Sequence, residues 1–391
     1  MTEHRTTTTP NKTQQSASQN PDIDNKNLVP KKILKKPLLI FLFILINVIV
    51  IAATAASEFG NSENAAELSE VKINGWFLIP AALCFIIAIS CEIYKYILMM
   101  RKMAFLKPHE TGANSVQNPH PNLKYMRKVA RRTVLLGKYY DNITPAAIGG
   151  QPFQIYYMRK NSGLSNGAST SIPIFGMISG QIGFIIIATL CFLFGSLSIH
   201  NAVLIGTACF GLLFYAFWPV LVMIATFLPQ GTTEIITLFI KFLAKIHLVK
   251  DPQHAIQKTE QEVKSYARSV RRILKTPGLF AWTILLSVTF HILISMIPFF
   301  VLTAFGGEVD FLPCFVTTVA VTSAVYFVPT PGNSGAAEGT FFVVFSALSS
   351  GYVFWAMLVW RFFSYYIYII LGPIIYARMH FEKSHKHPTS P

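Results

Sequence analysis

Apolar runs long enough to cross a bilayer fill most of this chain after Lys36, and Pro and Gly break two of them. A span needs roughly 20 apolar residues at about 1.5 Å rise each. In hydrocarbon an unpaired backbone N–H or C=O costs several kcal/mol, so helices are the natural way for such runs to cross. Broken backbone survives at that depth only where protein covers it or it lines a wet cavity. The broken segments are Asp141-Asn-Ile-Thr-Pro-Ala-Ala-Ile-Gly-Gly150 and Pro329-Thr-Pro-Gly-Asn-Ser-Gly-Ala-Ala-Glu338, and each carries an acidic residue. Interrupted helices in corresponding halves of a membrane chain point to a transporter's substrate site. The plain alternative is a pair of surface loops between ordinary spans.

Composition agrees with a polytopic helical membrane protein: 52% of residues are hydrophobic and 13% charged, unlike a soluble domain. The formal charge of +15 raises the question of nucleic acid. Its Lys and Arg sit in loops beside apolar runs, a pattern of membrane topology and of contact with anionic membrane lipids, so no nucleic-acid partner is expected. Cys84, Cys91, Cys191, Cys209 and Cys314 fall in apolar runs with no CxxC spacing and read as small apolar filler. Neither a metal nor another cofactor is expected. Residues 1–30 form a polar leader expected to be disordered, with no cleavable signal peptide.

Charge sets the topology. Lys31, Lys32, Lys35 and Lys36 precede a span at 37–56, placing the leader in the cytoplasm, and Glu58, Glu63, Glu67 and Glu70 mark the next loop as outside. A span at 76–98 returns to a basic cytoplasmic segment from Arg101 to Arg132. The segment 139–158 is long enough for one span, yet Arg132 and Lys138 flank one side and Arg159 and Lys160 the other. With Pro145, Gly149, Gly150 and Pro152 inside it, the economical reading is a re-entrant hairpin entering from the cytoplasm. Spans at 172–194 and 202–228 follow, then a basic cytoplasmic segment, 229–279. That segment holds an amphipathic helix at 234–248 and a charged helix opened by Asp251-Pro252, with Arg268, Arg271, Arg272 and Lys275 toward anionic lipid. A span at 280–305 leads to the acidic, outside Glu308–Asp310. Residues 311–350 form a second broken unit with both ends outside, and a last span at 352–377 runs down to Arg378. The fold class is therefore an all-α polytopic membrane protein of about six full spans plus two oppositely entering broken-helix hairpins, as an inverted repeat would give. Its domains are the leader, a transmembrane domain at 31–380 and a cytoplasmic tail at 381–391, and the plasma membrane is the expected location.

Arg361 lies ten residues past Gly351, roughly 15 Å along a helix and near the middle of a ~30 Å hydrocarbon core. A charge there costs about 2.5–3.5 kcal/mol, so it needs a partner, and Glu338 is the natural one. Asp141 and Lys138 flank the inner hairpin's entrance. Either Arg361 and Glu338 only pair, or with Asp141 they handle a charged headgroup or a coupling proton; guanidinium suits phosphate through its planar donor fork. His291 reads as a satisfied structural contact. Glu92 either snorkels or pairs with Lys95, and Tyr365, Tyr366 and Tyr368 either pack or line a lipid path.

Asn142-Ile-Thr-Pro-Ala-Ala-Ile-Gly-Gly150 followed by Arg159-Lys-Asn-Ser-Gly163 resembles the first signature of the lysylphosphatidylglycerol synthase/flippase transmembrane family. Pro329-Thr-Pro-Gly-Asn-Ser-Gly-Ala-Ala-Glu338 resembles the second, usually Pro-x-Pro-Gly-Gly-x-Gly-x-x-Glu, with Asn333 in place of a Gly, and Arg361 falls where that family keeps an Arg. The resemblance covers roughly Pro37 to Arg378. It implies transfer of a phospholipid between leaflets, aminoacylated phosphatidylglycerol being the best-known case, which blunts attack by cationic antimicrobial peptides. The family's larger members add an aminoacyl-transferase domain; none is expected within this chain, nor is any enzymatic activity.

The leading reading is thus a lipid flippase acting on a phospholipid or lipid-linked phosphate. The alternatives are a membrane enzyme on lipid-linked sugars or phosphates, against which there is no DxD or paired acid cluster, and an accessory scaffold. No P-loop is present, which excludes ATP-driven pumping by this chain. Candidate substrate-binding residues are Asp141, Asn142, Pro145, Gly149, Gly150, Arg159, Pro329, Pro331, Gly332, Glu338 and Arg361. The lipid, the direction of transfer, the coupling ion and the presence of a homo-oligomer are not fixed by the sequence.

Overall fold

A computed structural model describes residues 72–105, 122–147, 149–195, 202–245, 252–348 and 352–384, with 49, 52 and 56 singly. The expected leader, nearly all of the expected first span, the Glu-rich loop and the end of the tail lie outside the described residues. Everything regular among the described residues is helical. Among the described residues five helices are long and apolar enough to span a membrane: α1 (Leu78–Phe105), α4 (Asn166–Gly195), α5 (Ala202–Phe227), α8 (Pro277–Ala304), and α11 (Val353–Arg361) continued through a π-helical turn at Phe362–Tyr366 into α12 (Ile367–Ser384). They lie on the spans read from the sequence, and three run past the expected ends: α1 runs on through Arg101 and Lys102, good helix formers that favour a helix C-terminus, α4 begins six residues early and continues through Pro173, and α12 continues past Arg378 to Ser384.

Between the spans stand two helical hairpins. The inner one is α2 (Leu123–Ile143), a short turn at Pro145–Ala147, and α3 (Gly150–Asn161). The outer one is α9 (Phe311–Val325), a 3-10 turn at Pro331–Asn333, and α10 (Ala336–Ser346). Each returns to the end it started from. Tyr125 Oη donates to Asn161 O over 2.6 Å at the base of the inner hairpin, and Tyr352 N donates to Phe305 O over 3.0 Å at the base of the outer one. The 15 residues of α9 and 11 of α10 reach only about 22 and 17 Å, short of a ~30 Å core, so the outer hairpin is re-entrant.

The inner hairpin corrects one expectation. Its first arm starts at Leu123, and so takes in basic residues that the charge pattern assigned to a cytoplasmic loop. Met126, Val129, Ala130, Thr133, Val134, Leu136 and Gly137 form a buried face of α2, while Lys124, Arg127 and Arg131 are exposed. The loop was an amphipathic helix in which charge hid the 3.6-residue period.

In the core α8 packs along α1 and α4, α9 along α5, and α2 along α3 and α12. Small residues allow these approaches: a Cβ at Gly183 of α4 would lie 2.8 Å from Ser287 of α8, and one at Gly211 of α5 would strike Ser323 O of α9. At one end of the bundle Asn74 N donates to Ala304 O. At the other, Arg271 of the charged helix α7 (Pro252–Leu274) gives Nε and Nη2 to Thr226 O and Phe227 O at 3.1 and 3.0 Å. Arg271 therefore closes the C-terminus of α5, where lipid contact was expected. The preceding helix α6 (Pro229–Lys245) leaves Ile235 and Leu238 exposed. Glu382 near the end of α12 accepts from Lys128 and Arg132 of α2, both at 2.7 Å. These bonds hold its carboxyl down to about 2.

Single cysteines replacing Lys124 and Lys160 on a cysteine-free background should react with an impermeant maleimide from one side of the membrane, and those replacing Glu308 and Leu348 from the other. Labelling of Lys124→Cys and Lys160→Cys from opposite sides would break the inner hairpin. For the α12–α2 link, a carboxyl held below its usual 4.5 stabilises the fold above pH 4.5 and loses that contribution as pH falls toward 2. Because Glu382 is about half exposed, its contribution should stay below about 1 kcal/mol. The melting-temperature gap between the wild type and Glu382→Gln should be present at pH 6 and shrink steadily below pH 4.5; a gap independent of pH would discount the pair.

Candidate functional site

The tips of the two hairpins meet. Gly332 in the outer turn has φ +58°, and a Cβ there would lie 3.4 Å from Asn142 O in the inner hairpin and strike the Tyr365 ring. Only a residue without a side chain fits. Asn333 is also left-handed, at φ 56°, and Gly335 follows at φ 86°. Asn is among the few residues that tolerate this region. Its Nδ2 donates to Val325 O over 2.9 Å, tying the turn to the end of α9, so Asn333 closes the turn in place of the expected Gly.

Glu338 and Arg361 hold the turn from beneath. Glu338 is three residues past Gly335 and its Oε2 accepts the Gly335 N–H at 2.7 Å, capping α10. Its Oε1 accepts Arg361 Nε at 2.6 Å. Arg361 Nη2 donates to Ser334 Oγ at 3.1 Å and to Gly332 O at 3.3 Å, and its guanidinium lies 4.7 Å from the centre of the Tyr365 ring. The two residues are only 1% and 4% exposed. The expected partnership is present, and it serves three elements: α10, the turn and α11. The π-helical turn that follows Arg361 brings Tyr365 under both the guanidinium and Gly332; such bulges recur at functional sites.

The inner turn repeats the device. Asp141 Oδ1 accepts Gly150 N–H at 2.9 Å, and Thr144 Oγ1 accepts Gly149 N–H at 2.8 Å, so both cap α3. A Cβ at Gly150 would collide with the Asp141 carboxylate, which is why the helix opens on Gly. Each hairpin thus returns through a helix whose first N–H groups are held by an acid from its own hairpin.

A second polar layer runs below the tips. Lys95 of α1 is fully buried and spends its ammonium on Glu92 Oε2 at 2.8 Å, Gly176 O at 3.1 Å and Ser287 Oγ at 3.1 Å. Glu92 pairs with Lys95, and the lysine does not snorkel to solvent. His291 bonds Gly180 O at 3.0 Å, a structural contact as read from the sequence. Lys138 Nζ stands 5.4 Å from the centre of the Phe290 ring.

Of the sequence candidates, Asp141, Asn142, Pro145, Gly149 and Gly150 form the inner tip, and Pro329, Pro331, Gly332, Glu338 and Arg361 the outer tip and its brace. Arg159 does not join them. It ends α3 and donates Nε to Thr170 Oγ1 at 2.9 Å near the base of the hairpin. Lys95, Ser334, Tyr365 and Thr144 were not singled out as site residues. The Glu92/Lys95 spacing of three was the available signal for Lys95. Several polar atoms at the junction are sealed from solvent with no hydrogen-bond partner among the described residues: Asn142 Nδ2, Gln151 Oε1 and Ser364 Oγ.

Residues 38–372 match the family described as the lysylphosphatidylglycerol synthase TM region. No curated protein and no solved structure matches the chain.

Arg361→Ala strands a buried carboxylate and should destabilise the protein by about 3–5 kcal/mol, as broken buried pairs do. The double variant Glu338→Gln/Arg361→Gln removes both charges and keeps an acceptor for Gly335 N–H, so it should regain much of that loss. Thermal unfolding in detergent checks both; a double variant as unstable as the single would deny the pairing energy.

Proposed function

The chain belongs to the lysylphosphatidylglycerol synthase TM-region family, and from that premise we propose that it moves a phospholipid or lipid-linked phosphate between membrane leaflets. The observation that carries this reading is the meeting of two oppositely entering re-entrant tips around a buried ion pair. A headgroup that passes the contact between Asn142 and Gly332 would move from the side of one hairpin to the side of the other. Polar backbone at that depth needs cover or a polar visitor, and both tips offer it. The acyl chains stay in lipid while only the headgroup crosses the protein, which spares the hydrocarbon a charged group.

In this mechanism each hairpin closes one side of the path. Withdrawal of the α2–α3 tip opens the site to the basic end of the bundle, which we read as the cytoplasmic end by the positive-inside rule, with both termini on that side. Withdrawal of the α9–α10 tip opens it to the other side. Asp141 and Glu338, one from each tip, would take up a cationic substituent or a proton only as their tip withdraws, because each already holds a backbone N–H and Glu338 also holds Arg361; aminoacylated phosphatidylglycerol is one substrate of that chemistry. The anionic leaflet of the plasma membrane would hold the exposed basic faces of α2 and α7. A gradient or an imbalance of the lipid itself supplies the drive.

Purified protein in liposomes with fluorescent phospholipids should accelerate leaflet exchange, read as dithionite-accessible signal, above protein-free vesicles. Gly332→Leu, which displaces Tyr365 and strains a left-handed position, should abolish the gain. Exchange at the protein-free rate with neutral, anionic and aminoacylated headgroups, with and without a pH gradient, would favour the enzyme or scaffold reading.

A further inference from the structure

Arg361 is poorly placed to receive a phosphate. Its Nε is taken by Glu338 and its Nη2 by Ser334 and Gly332 O, and the Tyr365 ring covers its face. Lys95 is likewise spent on Glu92, Gly176 O and Ser287. A different cation lies on the inner arm. Lys138 is partly buried on α2, and its ammonium has no hydrogen-bond or ion-pair partner among the described residues, only the Phe290 ring of α8. Asp141, Lys95 and His291 are within electrostatic reach of it. Lys95 is compensated by Glu92, and Asp141 already accepts the Gly150 N–H.

One helical turn further along the same face of α2 comes Asn142, four residues on. Its Nδ2 is sealed from solvent and unpaired, while its backbone O faces Gly332. Two donors without acceptors, one of them charged, therefore stand a turn apart on the arm that leads to the hairpin contact. Buried donors in a folded protein are normally paired, and an ammonium with a carboxamide N–H is the donor set for an oxyanion. Asn142 Nδ2 is sealed while the hairpin tips are in contact, so it becomes available only when the inner tip rearranges.

We propose that Lys138 and Asn142 form an anion subsite on the inner arm that takes the phosphate oxygens of a lipid headgroup, with Arg361 acting as the brace of the outer turn. This rests on the reading that a headgroup reaches the hairpin junction. The phosphate meets the Lys138 ammonium first, and Asn142 joins as the tips separate. Ligand entry and tip opening are thereby coupled, because an acceptor that satisfies Asn142 favours the parted arrangement over the sealed one.

The test uses the purified full chain in a non-ionic detergent with three probes: dihexanoyl phosphatidic acid, inorganic phosphate and dihexanoylglycerol. Binding is read by titration calorimetry. The wild type should bind the phosphatidic acid and not the diacylglycerol; equal binding of inorganic phosphate would identify free phosphate as the source. Lys138→Gln should weaken phosphatidic acid binding about tenfold or more, the scale of a lost charge-assisted hydrogen bond. Lys138→Arg should retain it within a few fold. Asn142→Asp, which replaces the donor by a negative charge at nearly constant size, should weaken it at least as much. Lys138→Gln should melt like the wild type, since it breaks no ion pair. Undiminished binding in Lys138→Gln or Asn142→Asp, or no binding of either phosphate probe by the wild type, overturns the subsite. Leaflet exchange measured on the same preparations separates the two claims. Binding without exchange defeats transport and leaves the subsite, and exchange indifferent to Lys138→Gln defeats the subsite and leaves transport.

Discussion

The Glu338–Arg361 pair is the contact on which the hairpin junction depends. A carboxylate and a guanidinium out of water carry a desolvation penalty that their attraction repays only if the remaining donors and acceptors are filled. Here the surroundings do the filling. One carboxylate oxygen caps α10 through Gly335 N–H, and the guanidinium reaches Ser334 and Gly332 O. The pair therefore fixes the conformation of a turn containing two consecutive left-handed residues, a shape that few sequences hold unaided. Specific geometry, more than net stability, is what a buried pair of this kind supplies.

The two hairpins use the same local physics from opposite ends. In each, a backbone break made by Pro and Gly exposes the first N–H groups of the return helix, and an acid of that hairpin satisfies one of them. Their contact is narrow, Gly332 presenting no side chain to Asn142 O. A small contact between two internally stiff units can be lost without unfolding either, which is how packed proteins switch between discrete states. The brace differs, however. The outer tip is anchored to α11 by an ion pair, whereas the inner arm is held to α12 by tight packing of Tyr139 on Gly372 near its tip and by the Glu382 link near its base. Among the described residues no ion pair braces the inner tip itself, so it is the one better suited to move.

The junction was legible in the sequence because its constraints are severe. Pro and Gly inside apolar runs, and a charge at mid-span, are each expensive unless arranged as they are, so the hairpins and the Glu338–Arg361 pair followed from energy alone. The amphipathic face of α2 was obscured because its basic residues resemble a topology signal as well as a helix face. Lys95 was obscured because a Lys three residues from a Glu can equally snorkel or be buried, and only packing against Gly176 and Ser287 decides it. The π-helical turn at 362–366 leaves an apolar stretch looking like any other, yet it is what turns Tyr365 toward Gly332.

On the transport reading proposed above, a carrier must also return empty, which limits how much charge an empty site can leave exposed to a low dielectric. Arg361 and Lys95 meet that limit through permanent partners. Lys138 has the Phe290 ring and, three residues along α2, the field but not the contact of the Asp141 carboxylate. Asp141 keeps its bond to Gly150 N–H and can lend its field to Lys138 when no anion is present, since field, unlike a hydrogen bond, is not used up by one partner. Loading an anion then replaces a distant counter-charge with a close one, and unloading restores the first. Both states stay compensated, and the same acid is left facing a headgroup that carries a positive charge of its own. On the proposed reading, such an arm would favour headgroups that bear both signs over those that bear only one.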